Sequence, residues 1–194
     1  MIRIVAGRWR GRRLRAPAGT ATRPTADRVR QALFDMLMHA PWARGDIAGA
    51  EVLDVFAGTG AMGLEALSRG AARAGFIERD PAALAALRAN IAACGADAEA
   101  DVIVADALAP PPGRPANLIF LDPPYGQNLV PRALAALAGA GWIAPGALII
   151  AEAERDAPPP DLSGLGLGAP LAERSHGAAR LAIWRSGSEI ARSR

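Results

Sequence analysis

From residue 51 onward, short apolar segments alternate with longer segments rich in alanine and leucine, and this alternation constrains the fold more than any other feature of the sequence. The apolar segments predict strands at residues 51–56, 74–78, 102–105, 118–122 and 147–152. Helices are predicted between them at residues 62–68, 81–93 and 129–138, and a last strand pair near residues 171–175 and 181–184. Strands that alternate with helices pack as a doubly wound, mostly parallel sheet with helices on both faces. The expected fold class is therefore α/β.

The residues before this region follow a different pattern. Residues 2–5 and 13–15 alternate apolar and charged side chains, which predicts a short N-terminal β-hairpin. An amphipathic helix is predicted next, because apolar side chains recur at helical spacing from Val29 to Leu37, with Thr25 as its expected N-cap. We expect an arm of residues 1–22, with its hairpin outside the βαβ core, and a main domain of residues 23–194.

Charge is unevenly distributed along the chain. Residues 1–30 contain nine arginines and one acid, Asp27, for a net charge of +8. Residues 31–194 contain 13 arginines and 18 acids, for a net charge of −5. A basic arm on a mildly acidic body predicts a polyanionic partner. The alternative is a basic segment that is merely solvated.

Composition excludes several classes of protein. A single cysteine, Cys94, rules out an internal disulfide framework and fits a reducing cytoplasm. His39 and His176 lack partners at metal-ligand spacing, so no metal site is expected. No apolar run reaches the roughly 18 residues of a membrane helix, and nothing resembles a secretory signal. We therefore expect a cytoplasmic chain without a membrane partner, acting as a monomer.

A glycine-rich turn follows the first predicted strand, in residues 53–63 (LDVFAGTGAMG). Glycines at such a turn adopt positive φ angles and let the backbone approach a ligand closely. Ligands of open parallel sheets bind beyond the carboxyl ends of the strands. The turn is not a phosphate-binding P-loop, because no Gly-Lys-Ser/Thr follows it, although dinucleotide-binding proteins share its glycines.

Acidic residues end three successive strands: Asp54, Glu78 and Asp106. Asp54 would repel a phosphate but attract an ammonium group, Glu78 is placed to bind a ribose diol, and Asp106 is placed to accept from an adenine amino group. This pattern resembles the motifs of class I S-adenosylmethionine methyltransferases. The resemblance implies a cofactor site that includes Asp54, Phe56, Ala57, Gly58, Thr59, Gly60, Glu78, Asp106 and Ala107. A Rossmann dehydrogenase that binds NAD ribose through Glu78 is the alternative at this point.

The second motif, residues 117–126 (NLIFLDPPYG), brings a carboxylate, two prolines and an aromatic ring to a strand end. An exocyclic base amine is a poor nucleophile, because its lone pair is delocalised into the ring. The Asp122 carboxylate and the Pro123 carbonyl are two acceptors for its hydrogens, and Tyr125 can stack on the base, worth about 1–3 kcal/mol. Catalysis is then mainly the alignment of two reactants, with any proton transfer to Asp122 after methyl transfer. An ordinary Asp-Pro turn is the alternative.

Asp-Pro-Pro-Tyr is similar to the signature of amino-methylating nucleic-acid methyltransferases. Together with residues 3–14, residues 23–34 and the glycine-rich turn, it resembles the RsmD-type family of 16S ribosomal RNA guanine-N2 methyltransferases, which act on guanine 966 of the small subunit. The resemblance implies a Rossmann-like class I methyltransferase fold with an RNA-facing N-terminal hairpin. It also implies S-adenosyl-L-methionine as cofactor, and a small ribosomal subunit or its assembly intermediate as partner.

The RNA-binding residues are expected on and just after the hairpin: Arg8, Trp9, Arg10, Arg12, Arg13 and Arg23. The arginines are expected to engage phosphates. For Trp9, packing against the domain is favoured over stacking on a base, because a small hairpin needs a hydrophobic anchor. Arg23 precedes the helix that should lie over the cofactor pocket and is expected to serve both structure and substrate.

Three other functions are compatible with parts of the pattern. An adenine-N6 methyltransferase of DNA or RNA would use the same Asp-Pro-Pro-Tyr chemistry. A non-enzymatic assembly factor on the same fold would tolerate the loss of Asp54, Glu78, Asp106 and Asp122, so the presence of all four argues against it. A protein-glutamine methyltransferase usually carries Asn where this chain has Asp122.

Overall fold

A computed structural model describes residues 2–17, 24–43, 45–124 and 126–187, without the side chains of residues 24–26. The described helices and strands are, in chain order, β1 (Ile2–Arg3), β2 (Arg13–Leu14), α1 (Pro24–His39), β3 (Glu51–Val55), α2 (Ala61–Ser68), β4 (Arg73–Glu78), α3 (Pro81–Cys94), β5 (Ala100–Val104), β6 (Ala116–Leu121), α4 (Leu129–Gly139), β7 (Ile143–Glu154), β8 (Ala172–His176) and β9 (Ala179–Arg185). A short 3₁₀ turn, Ser163–Leu165, lies between β7 and β8.

Seven of these strands form one sheet in the order β5-β4-β3-β6-β7-β9-β8. The first five in that order pair in parallel, whereas β9 runs antiparallel to both β7 and β8. The chain builds outward from β3 to β5 and then returns to place β6 on the other side of β3. The strand order therefore reverses between β3 and β6, and a ligand crevice is expected at their carboxyl ends.

Helices cover both faces of this sheet, as the alternation of the sequence predicts. On one face, residues such as Phe34 of α1, Leu64 of α2 and Leu87 of α3 are fully buried in one apolar cluster. On the other face, Leu134 and Leu137 of α4 are buried in a second cluster. The predicted α/β, doubly wound fold is confirmed.

The N-terminal hairpin of β1 and β2 forms as predicted, but the expectation that it lies outside the core is wrong. Ile4 is 0% exposed and Leu14 is 6% exposed, both within the apolar cluster that α1, α2 and α3 share. The backbone N–H groups of Val5 and Ala6 donate to the buried Glu65 carboxylate of α2, at 2.8 and 3.1 Å. Long-range contacts of this kind leave no periodic signal in the hairpin itself.

Two predicted boundaries also change. Helix α1 begins at Pro24, so Thr25 lies inside its first turn and is not the N-cap. Proline suits this first position, since its missing N–H has no intrahelical partner there. Strand β7 begins at Ile143, four residues before the predicted start, because a register shift against β6 accommodates Gly146, whose φ is 74°.

Candidate active site

The glycine-rich turn carries the chain from the end of β3 into α2 with three residues in the left-handed region. These are Phe56 at φ 60°, Gly58 at φ 54° and Gly60 at φ 76°. A bulky residue such as Phe56 rarely adopts this conformation, which costs about 1–3 kcal/mol and persists only where the surrounding structure enforces it. The enforced turn lies at the reversal of strand order, where the crevice is expected.

Close packing explains two of the glycines around this turn. A Cβ on Gly60 would lie 2.4 Å from Cδ1 of Leu87, and one on Gly63 would lie 2.4 Å from Cε1 of Phe76. Without side chains, α2 can approach β3 closely enough for the Gly63 N–H to donate to the Asp54 carboxylate at 2.9 Å. A strand carboxylate thus caps the first turn of α2.

Asp54 is nearly inaccessible, at 3% exposure. Burial raises the pKa of Asp54 to about 8; the Gly63 N–H bond opposes this rise, and the nearby carboxylates of Asp122 and Glu78 add to it. A cation bound beside these acids would relieve their repulsion and favour the ionised form of Asp54.

Glu78, at the end of β4, connects two loops. Its carboxylate accepts from the backbone N–H of Gly58 at 2.8 Å, of Arg79 at 2.7 Å and of Asp80 at 2.8 Å. An ionised carboxylate has about four acceptor sites, so these bonds do not exhaust it. Glu78 therefore holds the glycine-rich turn against the β4–α3 loop.

The strand ends enclose two adjoining cavities. The first, of about 800 Å³, contains five residues singled out from the sequence: Phe56, Glu78, Asp106, Ala107 and Asp122. Asp106 accepts from Leu108 N at 2.9 Å and pairs with Arg79 at 2.6 Å across the wall of this cavity. The second, of about 410 Å³, contains Asp54, Phe56, Ala57, Gly58, Thr59 and Asp122. Gly60 lines neither cavity and acts in the turn.

Asp122 lines both cavities and follows β6 directly. Its backbone N–H donates to the Val55 carbonyl at 3.4 Å, which ties the end of β6 to the end of β3. The Asp122 side chain is exposed where the two cavities meet; desolvation by the surrounding protein atoms, followed by the Glu152 carboxylate, raises the pKa of Asp122 to about 7. Pro123 is buried, whereas Tyr125 lies outside the described residues.

Helix α1 and the β8–β9 turn form the outer walls of the second cavity. Val29, Arg30 and Leu33 of α1 lie on one side, and His176 with the three residues after it on another, so α1 covers this pocket. Arg30, Glu152 and His176 also line this cavity, although no sequence pattern singled them out for this site. The missed signal for Glu152 is its position at the predicted end of the strand that pairs with β6.

The hairpin arginines fall into two pairs. Arg8 forms an ion pair with Glu99 and lies 4.1 Å over the Trp9 ring, and Arg12 donates to the Ala93 carbonyl. Arg10 and Arg13 are exposed, with no ion pair to any described residue. Trp9 is partly buried and packs against the apolar core. Arg23 lies outside the described residues.

Within the described ranges, no three His, Cys, Asp or Glu side chains are grouped so that they could hold a metal ion. No helix of the described segments is both long and apolar enough to cross a membrane.

Comparison with known proteins decides the family. A family model described as Conserved hypothetical protein 95 matches residues 2–185. Ribosomal RNA small subunit methyltransferase D of Escherichia coli strain K12 is 43% identical over 155 residues, which cover 79% of this chain and 75% of that protein. The chain belongs to the RsmD-type methyltransferase family.

Other relatives of this RsmD-type methyltransferase agree. The Haemophilus influenzae protein that shares the Escherichia coli name is 39% identical over 162 residues, 81% of each chain. The solved structure of yhhF from Escherichia coli matches with a TM-score of 0.79 at 38% identity, covering 97% of this chain and 99% of that one.

The cofactor of this RsmD-type methyltransferase is S-adenosyl-L-methionine, and the donor set fits it. Its ammonium and sulfonium groups are cations, which suits a crevice where desolvation and neighbouring carboxylates raise the pKa of Asp54 and Asp122. The dehydrogenase alternative is wrong. A dinucleotide site uses free N–H groups at the helix start to bind its pyrophosphate, whereas here Gly58 and Gly63 donate to acids.

Proposed function

We propose that the enzyme transfers a methyl group from S-adenosyl-L-methionine to the exocyclic N2 amine of a guanine in 16S ribosomal RNA. The observation that carries this proposal is that Asp122 lines two adjoining cavities, one with Glu78 and Asp106 and the other beneath α1. A side chain in this place can contact both a cofactor and a base. Relatives named ribosomal RNA small subunit methyltransferase D support a small-subunit rRNA substrate.

The cofactor residues divide by the chemistry of their side chains. Asp54 balances the ammonium group, and the one acceptor site that remains on Glu78 binds a ribose hydroxyl. Asp106 accepts from the adenine amine after its ion pair with Arg79 has opened. Apolar parts of Phe56 and Ala107 contact the adenine ring, while Ala57, Gly58, Thr59 and Gly60 shape the turn beneath the amino-acid portion. When bound, S-adenosyl-L-methionine supplies an electrophilic methyl group on its sulfonium.

Asp122 and Pro123 act on the target amine. The ionised carboxylate of Asp122 and the carbonyl of Pro123 accept the two amine hydrogens, which orients the nitrogen lone pair toward the methyl group. A carboxyl with a pKa of about 7 can also take a proton after methyl transfer and release it to water at neutral pH. Stacking of Tyr125 on the base completes the proposed site.

The partner is the small ribosomal subunit or an assembly intermediate. The enzyme binds it in the cytoplasm as a monomer. The exposed Arg10 and Arg13 bind phosphates directly, whereas Arg8 and Arg12 first have to leave Glu99 and the Ala93 carbonyl. Trp9 anchors the hairpin, and Arg23 binds RNA next to α1. A base in a loop is easier to bring into the pocket than a base in a duplex.

Nucleoside analysis tests the proposal. Small subunits from a strain that lacks the gene are incubated with the purified enzyme and labelled cofactor, and their RNA is digested to nucleosides. The expected product is N2-methylguanosine. N6-methyladenosine would instead establish the adenine-N6 alternative. Label on a ribosomal protein would establish the protein-glutamine alternative, and the absence of any labelled product would indicate a non-enzymatic role.

A further inference from the structure

The carboxylate of Glu152 lies beside that of Asp122 because of strand register. Leu121 of β6 pairs with Ala151 of β7, so Asp122 and Glu152 occupy the next position on neighbouring parallel strands. Both residues line the 410 Å³ cavity beneath α1. Two acids that line one cavity repel each other, and that repulsion contributes, after desolvation, to the raised pKa of Asp122. This costly arrangement suits a ligand that brings more than one hydrogen-bond donor.

Nucleobases differ in what flanks their exocyclic amine. In guanine, the N2 amine is next to N1–H, which is a donor. In adenine and cytosine, the amine is next to a ring nitrogen on the Watson–Crick edge that accepts hydrogen bonds. Ionised carboxylates only accept hydrogen bonds. A second carboxylate beside the amine-binding one therefore matches guanine and opposes the other two bases.

We propose that Glu152 accepts a hydrogen bond from N1–H of the target guanine while Asp122 holds its N2 amine, so that Glu152 sets the base specificity. This inference rests on the proposed function and names the residue that makes it specific for guanine. Enzyme sites built to hydrogen-bond a substrate donor reject analogues that lack it, because buried acceptors are then left unpaired.

The probe is 2-aminopurine, which keeps the 2-amine but has an acceptor at N1. Small subunits are reconstituted with guanine or 2-aminopurine at the target position, and single-turnover methylation is measured for both. The wild-type enzyme should methylate the 2-aminopurine subunit more slowly by roughly 10- to 100-fold, the range for one matched base contact.

The variant Glu152→Gln tests the residue. Its amide can donate to an N1 acceptor, so guanine methylation should slow while the guanine to 2-aminopurine ratio narrows about tenfold or more. 2-Aminopurine also lacks O6, and this difference is the same for wild type and variant. The decisive quantity is therefore the change in the guanine to 2-aminopurine rate ratio between wild type and Glu152→Gln. Glu154→Gln is the matched control, since Glu154 lies two residues further along β7 and lines a neighbouring groove of about 240 Å³, which Glu152 also lines, but not the 410 Å³ cavity that contains Asp122. The guanine to 2-aminopurine rate ratio of Glu154→Gln should equal that of wild type.

For the wild-type enzyme and Glu152→Gln, either of two results would overturn the inference: equal wild-type rates on both subunits, or a parallel loss of both rates in Glu152→Gln. The comparison of wild-type rates on the two subunits needs no variant, so it remains a valid test even if Glu152→Gln fails to fold. Glu152→Asp, which keeps the carboxylate, should retain the preference for guanine, and equal rates on the two subunits in this variant would also contradict it. If the wild-type enzyme forms no N2-methylguanosine on guanine subunits, the proposed function itself fails, and this outcome is distinct from the others.

Discussion

The side-chain amide of Asn90 donates a hydrogen bond of 2.9 Å to the backbone carbonyl of Thr59, inside the glycine-rich turn. The same amide binds the backbone of Arg15 twice, accepting from its N–H at 2.7 Å and donating to its carbonyl at 3.0 Å. Asn90 is 1% exposed. One buried side chain of α3 therefore joins the N-terminal hairpin segment to the turn that lines the active-site cavity.

Replacing Asn90 with alanine should destabilise the protein and weaken cofactor binding together. The change removes the hydrogen-bond partner of backbone groups of Arg15 and Thr59, at about 1–3 kcal/mol for each group that water cannot reach. Denaturant unfolding measures the stability, and calorimetry measures the cofactor affinity. Arg88→Ala, an exposed position on the same helix, should change neither. Wild-type cofactor affinity in Asn90→Ala would show that the turn holds its position without this contact.

The ionisation of Asp54 should make the cofactor-free protein less stable as pH rises. Its pKa is about 8 in the folded protein against 3.8 ordinarily, so the folded state binds the proton more tightly. The resulting stabilisation is complete below about pH 4 and is lost as pH rises through about 8. Denaturant unfolding at pH 6 and pH 8 should therefore show a larger drop for wild type than for Asp54→Asn. Saturating cofactor should reduce that drop, because its cations favour the ionised carboxylate. An equal drop in unfolding free energy for the two proteins would mean that a group other than Asp54 binds the proton.

Arg10 and Arg13 should supply the salt-sensitive part of RNA binding. Each phosphate neutralised contributes about −0.7 to the slope of log affinity against log salt on single strands. Replacing both arginines with alanine should therefore flatten the slope for small-subunit binding by about 1.4, with stability unchanged, because neither makes an ion pair with a described residue. Arg88→Ala with Arg114→Ala is the control of equal charge, because both positions are exposed and lie outside the basic residues 1–30. If the two double variants give the same slope, the hairpin is not the phosphate-binding surface.

The residues that were predictable from sequence are those whose placement depends on local structure. Asp54, Glu78 and Asp122 each lie at a strand end, and parallel strands bring such ends together whatever their order. Glu152 was missed because its place beside Asp122 depends on β7 pairing with β6, which no local pattern specifies. The burial of the hairpin was missed for the same reason, since Val5 contacts Glu65, 60 positions away.

In the proposed reaction, Asp122 holds the target amine and not the cofactor. The most direct test of this role is single-turnover methylation of unmodified small subunits by wild type and Asp122→Ala, with the affinity for S-adenosyl-L-methionine measured in parallel. We expect methyl transfer to fall by about 100-fold or more, as when one group that stabilises a transition state is removed, while cofactor affinity stays within a few-fold. N2-methylguanosine formed by Asp122→Ala at near the wild-type rate would instead show that other groups hold the target amine.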